Sequence, residues 1–276
     1  MVNLKRYSSE RINVLSSGGG TQSCAMICLI HQGKIPKPDL IVMVDTEREI
    51  SEAIDYQHNH MIPLCKDMGV DYHIIKKSEY TNDDIQLASA QERGSDDNVL
   101  PGFFVTNENG EMGKGPGFCS GAWKSTVIKR HINRLFTQKE ATRRGVTFWM
   151  GMTIDEMRRV KTPLGKWQKW YPLVELAMHR QSAIQLVEDY NLPTPPRSAC
   201  WMCPNRHNNE WAHMQDNCPI DFARAVAFER DLIARFPQYR LTKNDNKLLG
   251  DIDFIDDGRG SQMDLLQFCD SGMCFT

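Results

Sequence analysis

Two groups of residues in this 276-residue chain have types and spacings suited to chemistry: a glycine-rich loop near its start and a set of cysteines further on. The loop spans residues 16–23 and reads Ser16-Ser17-Gly18-Gly19-Gly20-Thr21-Gln22-Ser23. Successive glycines let the backbone adopt positive φ and approach an anion closely, and the neighbouring hydroxyls are further donors. Where a strand enters such a loop and a helix leaves it, main-chain amides and the helix dipole favour a bound phosphate.

The loop lacks the Gly-Lys-Ser/Thr ending of a Walker loop and the spacing of a dinucleotide fingerprint. A glycine triplet alone is also typical of a structural turn, but its place after the first predicted strand favours phosphate binding. Asp45 and Thr46 follow the second predicted strand, and ligands of open α/β sheets bind beyond such strand ends. The Asp45 carboxylate would accept hydrogen bonds from a ribose or from the adenine amino group, although the pair also suits a helix cap.

The cysteines indicate a metal or redox site. Cys200 and Cys203 are separated by two residues and followed by Pro204, a spacing that brings two sulfurs to one zinc or iron–sulfur site. A redox disulfide pair is the competing interpretation. His207, four residues after Cys203, is a further candidate ligand. Cys269 and Cys274 bracket a Ser-Gly sequence in the C-terminal tail, where a thiol would act as a nucleophile, a persulfide carrier or a ligand.

Alternating strand and helix patterns predict the fold. Strands are expected at residues 11–15, 40–44, 72–75 and 147–151, and helices at residues 24–31, 52–68, 125–136, 182–190 and 221–236. This alternation predicts an α/β fold, a Rossmann-like open parallel sheet with helices on both faces, plus a mostly helical C-terminal extension. Residues 79–117 are expected to form a long excursion that orders when ligand binds. We assign residues 1–205 to the adenine-nucleotide domain and residues 206–276 to the extension and its cysteine-bearing tail.

Composition and charge restrict the partners. The chain is 41% hydrophobic and 25% charged, and it has no apolar run of the ~20 residues that span a bilayer. Because it also starts without an apolar signal segment, a cytoplasmic protein with no membrane partner is expected. Residues 124–169 carry twelve Lys and Arg against three Asp and Glu, a net charge of +9. Such a segment favours a polyanionic partner, a nucleotide or a nucleic acid, although a solvated basic helix face would look the same.

Five segments in order resemble one known family. Residues 17–23 are similar to the pyrophosphatase loop of the PP-loop ATPases, particularly the phosphoadenosine phosphosulfate reductase-like branch. The other four are residues 44–47, residues 118–124, residues 151–159, and a last group made of residues 171–173, 192–193 and 200–204. The similarity covers roughly residues 11–205. The loop has Gln22 where the family has Asp, and Ser120 stands where assimilatory sulfate reductases have a second cysteine.

This resemblance implies a set of functional residues. ATP, or a related adenine nucleotide, would bind with Mg²⁺ at residues 16–23, Asp45 and Thr46. Lys124, Arg158 and Arg159 would hold phosphates and stabilise the departing pyrophosphate. Cys119 would join Cys200 and Cys203 as a ligand of a 4Fe-4S cluster, with zinc as the alternative metal. The fourth ligand would be Cys269, with Cys274, His207 or an open iron as alternatives.

The predicted function is an adenine-nucleotide-dependent enzyme of sulfur chemistry. It would adenylate an oxygen of a nucleic-acid or nucleotide substrate, tRNA or DNA being preferred, and sulfur from a donor would then replace that oxygen. The first alternative is a sulfonucleotide reductase that uses Cys274 as nucleophile and a thioredoxin-like reductant. The second is a non-catalytic nucleotide- or metal-binding module. A homodimer is a further expectation.

Overall fold

The computed structural model of the chain describes residues 7–82, 85, 102–115, 117, 119–243 and 247–254. By contacts the chain divides into two compact units, each built from two stretches of sequence. The first unit comprises residues 1–81 and 124–198, and the second comprises residues 82–123 and 199–276. The predicted division at residue 205 stays a prediction. None of the helices within the described ranges is long and apolar enough to cross a membrane.

The strands and α-helices follow one another along the chain as β1 (Ile12–Ser17), α1 (Thr21–His31), β2 (Leu40–Asp45), α2 (Ser51–Tyr56), α3 (Ile62–Asp67), β3 (Tyr72–Lys76), β4 (Phe104–Thr106), β5 (Met112–Lys114), α4 (Thr126–Leu135), α5 (Gln138–Arg144), β6 (Val146–Met150), β7 (Trp167–Trp170), α6 (Pro172–Glu175), α7 (Arg180–Glu188), α8 (Asn208–Asn217), α9 (Pro219–Arg235) and β8 (Tyr239–Arg240). Two π-helical turns, Gln57–Met61 and Ser120–Ser125, precede α3 and α4. Short 3₁₀ turns occupy Lys77–Glu79, Ile154–Arg159 and Leu249–Asp251.

The first unit contains a five-stranded sheet in the order β3-β2-β1-β6-β7. All four neighbouring pairs are parallel, with Val14 opposite Leu40 and Ile12 opposite Val146. β2 pairs with one edge of β1, and β3 follows on the same side, whereas β6 and β7 are added on the other side. The direction in which successive strands are added to the sheet therefore reverses at β1. The predicted Rossmann-like parallel sheet is confirmed.

Helices cover both faces of this sheet. On one face, α1 is apolar at nearly every position and packs with α3 and α7, and the fully buried Trp149 and Trp170 belong to the same core. On the other face, α4 is strongly amphipathic, and its Val127, Ile128 and Ile132 are buried. Cys24, Cys28 and Trp149 are completely buried and therefore have packing roles.

The second unit contains a small antiparallel sheet in the order β5-β4-β8, together with α8 and α9. The Glu229 side chain of α9 is 1% exposed, and its two oxygens accept hydrogen bonds from the amides of Leu241 and Leu249. One buried carboxylate therefore ties α9 to two later segments of the chain. Trp211 of α8 is fully buried in this unit.

Several elements differ from the sequence expectations. α1 begins at Thr21 rather than Cys24, directly after the glycines. The helix expected at residues 52–68 is interrupted by the π turn between α2 and α3. β7 and α8 were not predicted, and β4 and β5 lie inside the segment expected to be an excursion.

Candidate functional site

The glycine loop lies at the point where the sheet changes direction. β1 ends at Ser17 and α1 begins at Thr21, so Gly18, Gly19 and Gly20 make the whole connection. The chain leaves β1 toward β2 on one side, while β6 lies on the other. Open α/β sheets bind their ligands beyond the carboxyl ends of the strands at this topological position.

Glycine is required at two positions around the loop. Gly19 has φ of +78°, and a Cβ there would lie 2.8 Å from Cε of Met43. Gly151, directly after β6, approaches the first turn of α1 closely, because a Cβ there would lie 3.1 Å from the Ser23 amide nitrogen. The loop and the first turn of α1 therefore lie close to β2 and to the end of β6, where a side chain at Gly19 or Gly151 would force neighbouring atoms to shift.

The N-terminus of α1 has no side-chain cap. The first amides of an α-helix have no partner within the helix, and their positive end of the dipole favours an anion. In the loop before α1, the Gly18 amide donates to Ser23 Oγ and the Gly19 amide donates to Ser17 Oγ, each at 3.1 Å. The expected phosphate donors Ser17 and Ser23 thus support the loop in this conformation, and the first turn of α1 presents the amides.

Three residues that sequence reasoning missed brace the loop. Gln57, completely buried in the π turn, donates from Nε2 to the Gly19 carbonyl at 3.0 Å. The Tyr72 hydroxyl lies 2.9 Å from Gln57 Oε1 and 3.1 Å from Ser17 Oγ, and burial raises the pKa of Tyr72. The Ser198 hydroxyl donates to the Gly18 carbonyl. No local pattern in the sequence marks these three residues, because the π turn and the contacts around it appear only in the folded chain. In a structure such a turn is a useful signal, since π turns are frequent at functional sites.

Asp45 is the last residue of β2, and Lys124, from the π turn before α4, lies near the same end of the strand. Asp45 is half-buried, its Oδ1 accepts from the Glu47 amide at 2.7 Å, and burial raises its pKa. The Thr46 hydroxyl donates to Glu49 Oε1 at 3.0 Å, and Lys124 Nζ lies 2.8 Å from the same oxygen. The Glu49 side chain is fully buried, so Lys124 is held at this end of the sheet by an ion pair.

The charged residues of the 3₁₀ turn after β6 have different surroundings. Burial by itself would raise the pKa of Asp155, but hydrogen bonds from His179, the Arg180 amide and Thr153 lower it. Asp155 is therefore engaged in local structure. Arg158 is exposed. The other two charged residues of this turn, Glu156 and Arg159, form an ion pair close to Gln22.

The Cys-x-x-Cys pair lies on a tight turn in the second unit, as expected. The Cys203 amide donates to the Cys200 carbonyl at 3.0 Å. Arg206, only 9% exposed, donates from its guanidinium to the carbonyls of Ala199 and Cys200, and it was missed by sequence reasoning. Cys119, Cys200 and Cys203 are each half-buried. His207 caps the start of α8, where its amide donates to Glu210 Oε2 at 2.9 Å.

These cysteines fit part of a metal site only. The turn brings Cys200 and Cys203 close along the chain, and a zinc or iron–sulfur centre takes two thiolates from such a Cys-x-x-Cys sequence. Within the described ranges, however, no group of three or more His, Cys, Asp or Glu is placed to hold a metal ion. Cys269 and Cys274 lie outside the described residues, so the predicted four-cysteine set stays a prediction.

A cluster of lysines lies around Trp167 on the edge strand β7. We call Lys129, Lys161, Lys166 and Lys169 the lysine cluster. Lys129 Nζ and Lys166 Nζ lie 5.8 and 4.7 Å from the centroid of the Trp167 ring, which stacks on Phe148. Burial, followed by the charges of Lys161 and Lys129, lowers the pKa of Lys169. In the part of the chain that the structure describes, none of the four ammonium groups has a carboxylate partner.

Comparison with known proteins finds similarity in structure but not in sequence. No protein-family model matches the chain, and no curated protein matches it significantly. A solved structure of the U34-tRNA thiolase NcsA from Methanococcus maripaludis with its 4Fe-4S cluster is similar at 15% sequence identity and a TM-score of 0.42. The similarity covers 83% of this chain and 76% of that chain. A similarity this distant assigns neither a family nor a substrate.

Proposed function

We propose that the chain is an adenine-nucleotide-dependent enzyme that binds ATP at the β1–α1 loop. The observation that carries this proposal is the uncapped first turn of α1, entered through three glycines at the position where the sheet changes direction. Amides at such a helix end bind a phosphate chain without a basic side chain. Asp45, at the neighbouring strand end, would accept a hydrogen bond from a ribose hydroxyl or the adenine amino group.

The proposed reaction is adenylation followed by sulfur insertion. A substrate oxygen attacks the α-phosphorus of ATP, the bond from that phosphorus to the bridging oxygen breaks, and pyrophosphate leaves. The amides of α1, with Lys124 and Arg158, would stabilise the negative charge that grows on the departing group. A sulfur nucleophile from a donor then attacks the activated carbon, and AMP leaves with the original oxygen. Mg²⁺ bound with ATP would offset the phosphate charges.

The lysine cluster supports a nucleic acid as the substrate. Four cations within one surface, with no carboxylate among them, repel one another, and a polyphosphate backbone relieves that repulsion. A chain with a purely small-molecule substrate has no need for such a surface beyond its nucleotide site. We therefore propose tRNA or DNA as the oxygen-bearing substrate.

A metal centre at the cysteines is a further part of the proposal. Cys200 and Cys203 would hold it, with Cys119 and Cys269 as the other ligands and zinc as the alternative to an iron–sulfur cluster. When bound, a cluster with an open iron would supply a site for the incoming sulfur. Iron, zinc and sulfide analysis of protein purified without oxygen tests this. Protein that contains neither metal would contradict it.

The nucleotide site is tested with two glycine variants. Gly19 and Gly33 both have positive φ, +78° and +68°, and a side chain at Gly33 meets nothing within 4 Å. Gly19→Ala strains the loop, so we expect its affinity for ATP to fall at least about tenfold, which is about 1.4 kcal/mol. Gly33→Ala carries a comparable backbone strain away from the loop and should keep the affinity of the unmodified protein. Calorimetric titration with ATP measures both.

The reaction class is tested by products. Pyrophosphate release from ATP that depends on added tRNA or DNA supports adenylation. Sulfite formed from phosphoadenosine phosphosulfate with thioredoxin would instead support the reductase alternative. ATP binding without pyrophosphate release, whatever nucleic acid is added, would indicate a non-catalytic binding module.

A further inference from the structure

Trp167 is a partly exposed aromatic residue that two members of the lysine cluster contact. It is the first residue of β7, the strand at one edge of the parallel sheet. Its ring stacks on the ring of Phe148 with an angle of 8° between the two planes, and Phe148 is only 7% exposed. A buried ring therefore supports the tryptophan and restricts its orientation at the edge of the sheet.

The two ammonium groups near this ring come from separate elements. Lys129 belongs to α4, whereas Lys166 directly precedes β7 and donates from Nζ to Asn133 Oδ1 of α4 at 3.0 Å. Among the residues that the structure describes, no carboxylate pairs with either group. An ammonium group beside a partly exposed ring is held only weakly, so both lysines can turn toward an anion that approaches the ring.

The loop before β7 also exposes an apolar side chain. Leu164 lies between Lys161 and Lys166 in the chain and is 94% exposed. A purely ionic partner would leave both this side chain and the Trp167 ring without a contact. Cations interleaved with exposed apolar and aromatic groups instead suit a partner that carries anionic groups and flat apolar groups at short spacing.

An unpaired nucleotide combines these two kinds of group. Its phosphate is anionic, and its base has an aromatic face that is open in a single strand but covered by neighbouring bases in a duplex. A duplex backbone would neutralise the lysines but would offer no base face to Trp167. The cations and the aromatic ring together therefore favour a single-stranded over a double-stranded partner.

We propose that a base from an unpaired segment of nucleic acid stacks on Trp167 while the lysine cluster binds the flanking phosphates. Lys129 and Lys166 turn from the ring to the phosphates, and the base occupies the ring face that they leave. Stacking on an aromatic side chain tolerates every base, so this surface selects an unpaired segment rather than a sequence. The inference rests on the nucleic-acid substrate proposed above and names the part of it that β7 binds, the unpaired nucleotides of a loop or a single strand.

The first experiment separates stacking from charge. A thymidylate strand and an abasic strand with the same number of phosphates are titrated into the unmodified protein, Trp167→Leu and Phe236→Leu, the last of which changes a partly exposed ring in the second unit. In Trp167→Leu we expect the ratio of thymidylate to abasic affinity to fall about fivefold to a hundredfold. The affinities for the abasic strand and for ATP should not change, and Phe236→Leu should keep the ratio. An unchanged ratio in Trp167→Leu would overturn the inference.

The second experiment uses a blunt duplex with the same two proteins, unmodified and Trp167→Leu. Because the base faces of a duplex are covered, its affinity should be equal in both. Lys129→Gln should weaken the binding of duplex, thymidylate strand and abasic strand alike, because it removes charge that each of them uses. A duplex affinity that falls in Trp167→Leu as much as the thymidylate affinity would contradict stacking.

A third measurement needs no variant. A single strand that contains bromouracil is irradiated with the unmodified protein, and mass spectrometry locates the crosslinked residue. We expect the adduct at Trp167, and adducts confined to other residues would overturn the inference. This measurement decides alone should Trp167→Leu fail to fold.

The outcomes also distinguish this inference from the proposed function. If neither strand binds, the proposed nucleic-acid substrate is rejected and this inference with it. If both strands bind equally to the unmodified protein and to Trp167→Leu, the nucleic-acid substrate stands and the stacking site alone is rejected. Binding to phosphatidylserine vesicles that Trp167→Leu abolishes, with no difference between the two strands, would assign the surface to an anionic membrane and overturn the inference.

Discussion

His131 of α4 is enclosed by groups that oppose its protonation. Its Nε2 lies 3.0 Å from His73 Nδ1, and its Nδ1 lies 2.7 Å from the Tyr80 hydroxyl. Arg134 stacks over the Tyr80 ring at 4.4 Å. Burial, followed by the charges of His73 and Arg134, lowers the pKa of His131 from 6.5 to about 4. The neutral imidazole is consequently part of the folded structure.

The stability of the protein should therefore depend on pH through this residue. Between pH 6.5 and about 4 the unfolded chain binds a proton that the folded chain does not, so stability is complete above pH 6.5 and falls as the pH drops. We expect this part of the loss to be on the order of 1–3 kcal/mol, measured by urea unfolding at each pH. His131→Gln should flatten the profile, while His58→Gln, at an exposed position, should not. Equal slopes in all three proteins would contradict the assignment.

The sequence could identify residue types in the candidate site but not their partners. Residues 16–23 and Asp45 were recognisable because glycines, hydroxyls and a carboxylate followed predicted strand ends. The contact of Gln22 with Glu156 joins positions far apart in the chain, and no local pattern contains that information. For the same reason the ion pair of Lys124 with Glu49 was not foreseen. The sequence therefore predicted which residue types follow each strand, but it did not predict which distant residues pair with them.

At the scale of elements, the contact between the end of β6 and the first turn of α1 determines the shape of the loop. Gly151→Ala would place a Cβ 3.1 Å from the Ser23 amide nitrogen and 3.2 Å from Gln22 Cβ. Because two of the three nearest atoms belong to the backbone, the strand end and the helix must separate. We expect a stability loss of about 1–3 kcal/mol together with weaker ATP binding.

Thermal unfolding and ATP titration check this. Gly113→Ala, in β5, is the matched control, because a Cβ there meets nothing within 4 Å. It should leave ATP affinity unchanged. A Gly151→Ala variant as stable as the Gly113→Ala variant, with full ATP affinity, would show that the contact is not important.

The elements that escaped prediction have physical reasons in common. β7 is an edge strand whose Trp170 enters the core while Trp167 contacts lysines, so it lacks the apolar run of a central parallel strand. β4 pairs with β8, more than a hundred residues later, and both are very short. The π turn at Gln57–Met61 contains no glycine or proline itself, and Pro63 follows it in the first turn of α3. Each depends on tertiary contacts that outweigh local propensity.

At the scale of the whole molecule, the net charge of −2 conceals the segment of +9. We expect affinity for single-stranded nucleic acid to fall steeply with salt, with a log–log slope of roughly −0.7 for each phosphate neutralised. Replacing Lys129, Lys161 and Lys169 together by Gln should make the slope shallower by roughly 2. Lys139→Gln, on the exposed side of α5, should change it by less than half as much as the triple replacement. Salt-independent binding would argue for a small-molecule substrate.

The central position of β1 has a consequence for how the protein is made. One neighbour, β2, follows β1 closely in the chain. The other neighbour, β6, pairs Val146 with Ile12 and comes later in the chain than the first stretch of the second unit, residues 82–123. During translation, the backbone groups of β1 that face β6 therefore stay unpaired until the residues of β6, up to position 150, have left the ribosome. Nascent chains shorter than this expose an apolar strand edge that invites self-association. Truncations ending before β6 should therefore aggregate, whereas the full-length polypeptide conceals that edge as soon as β6 emerges.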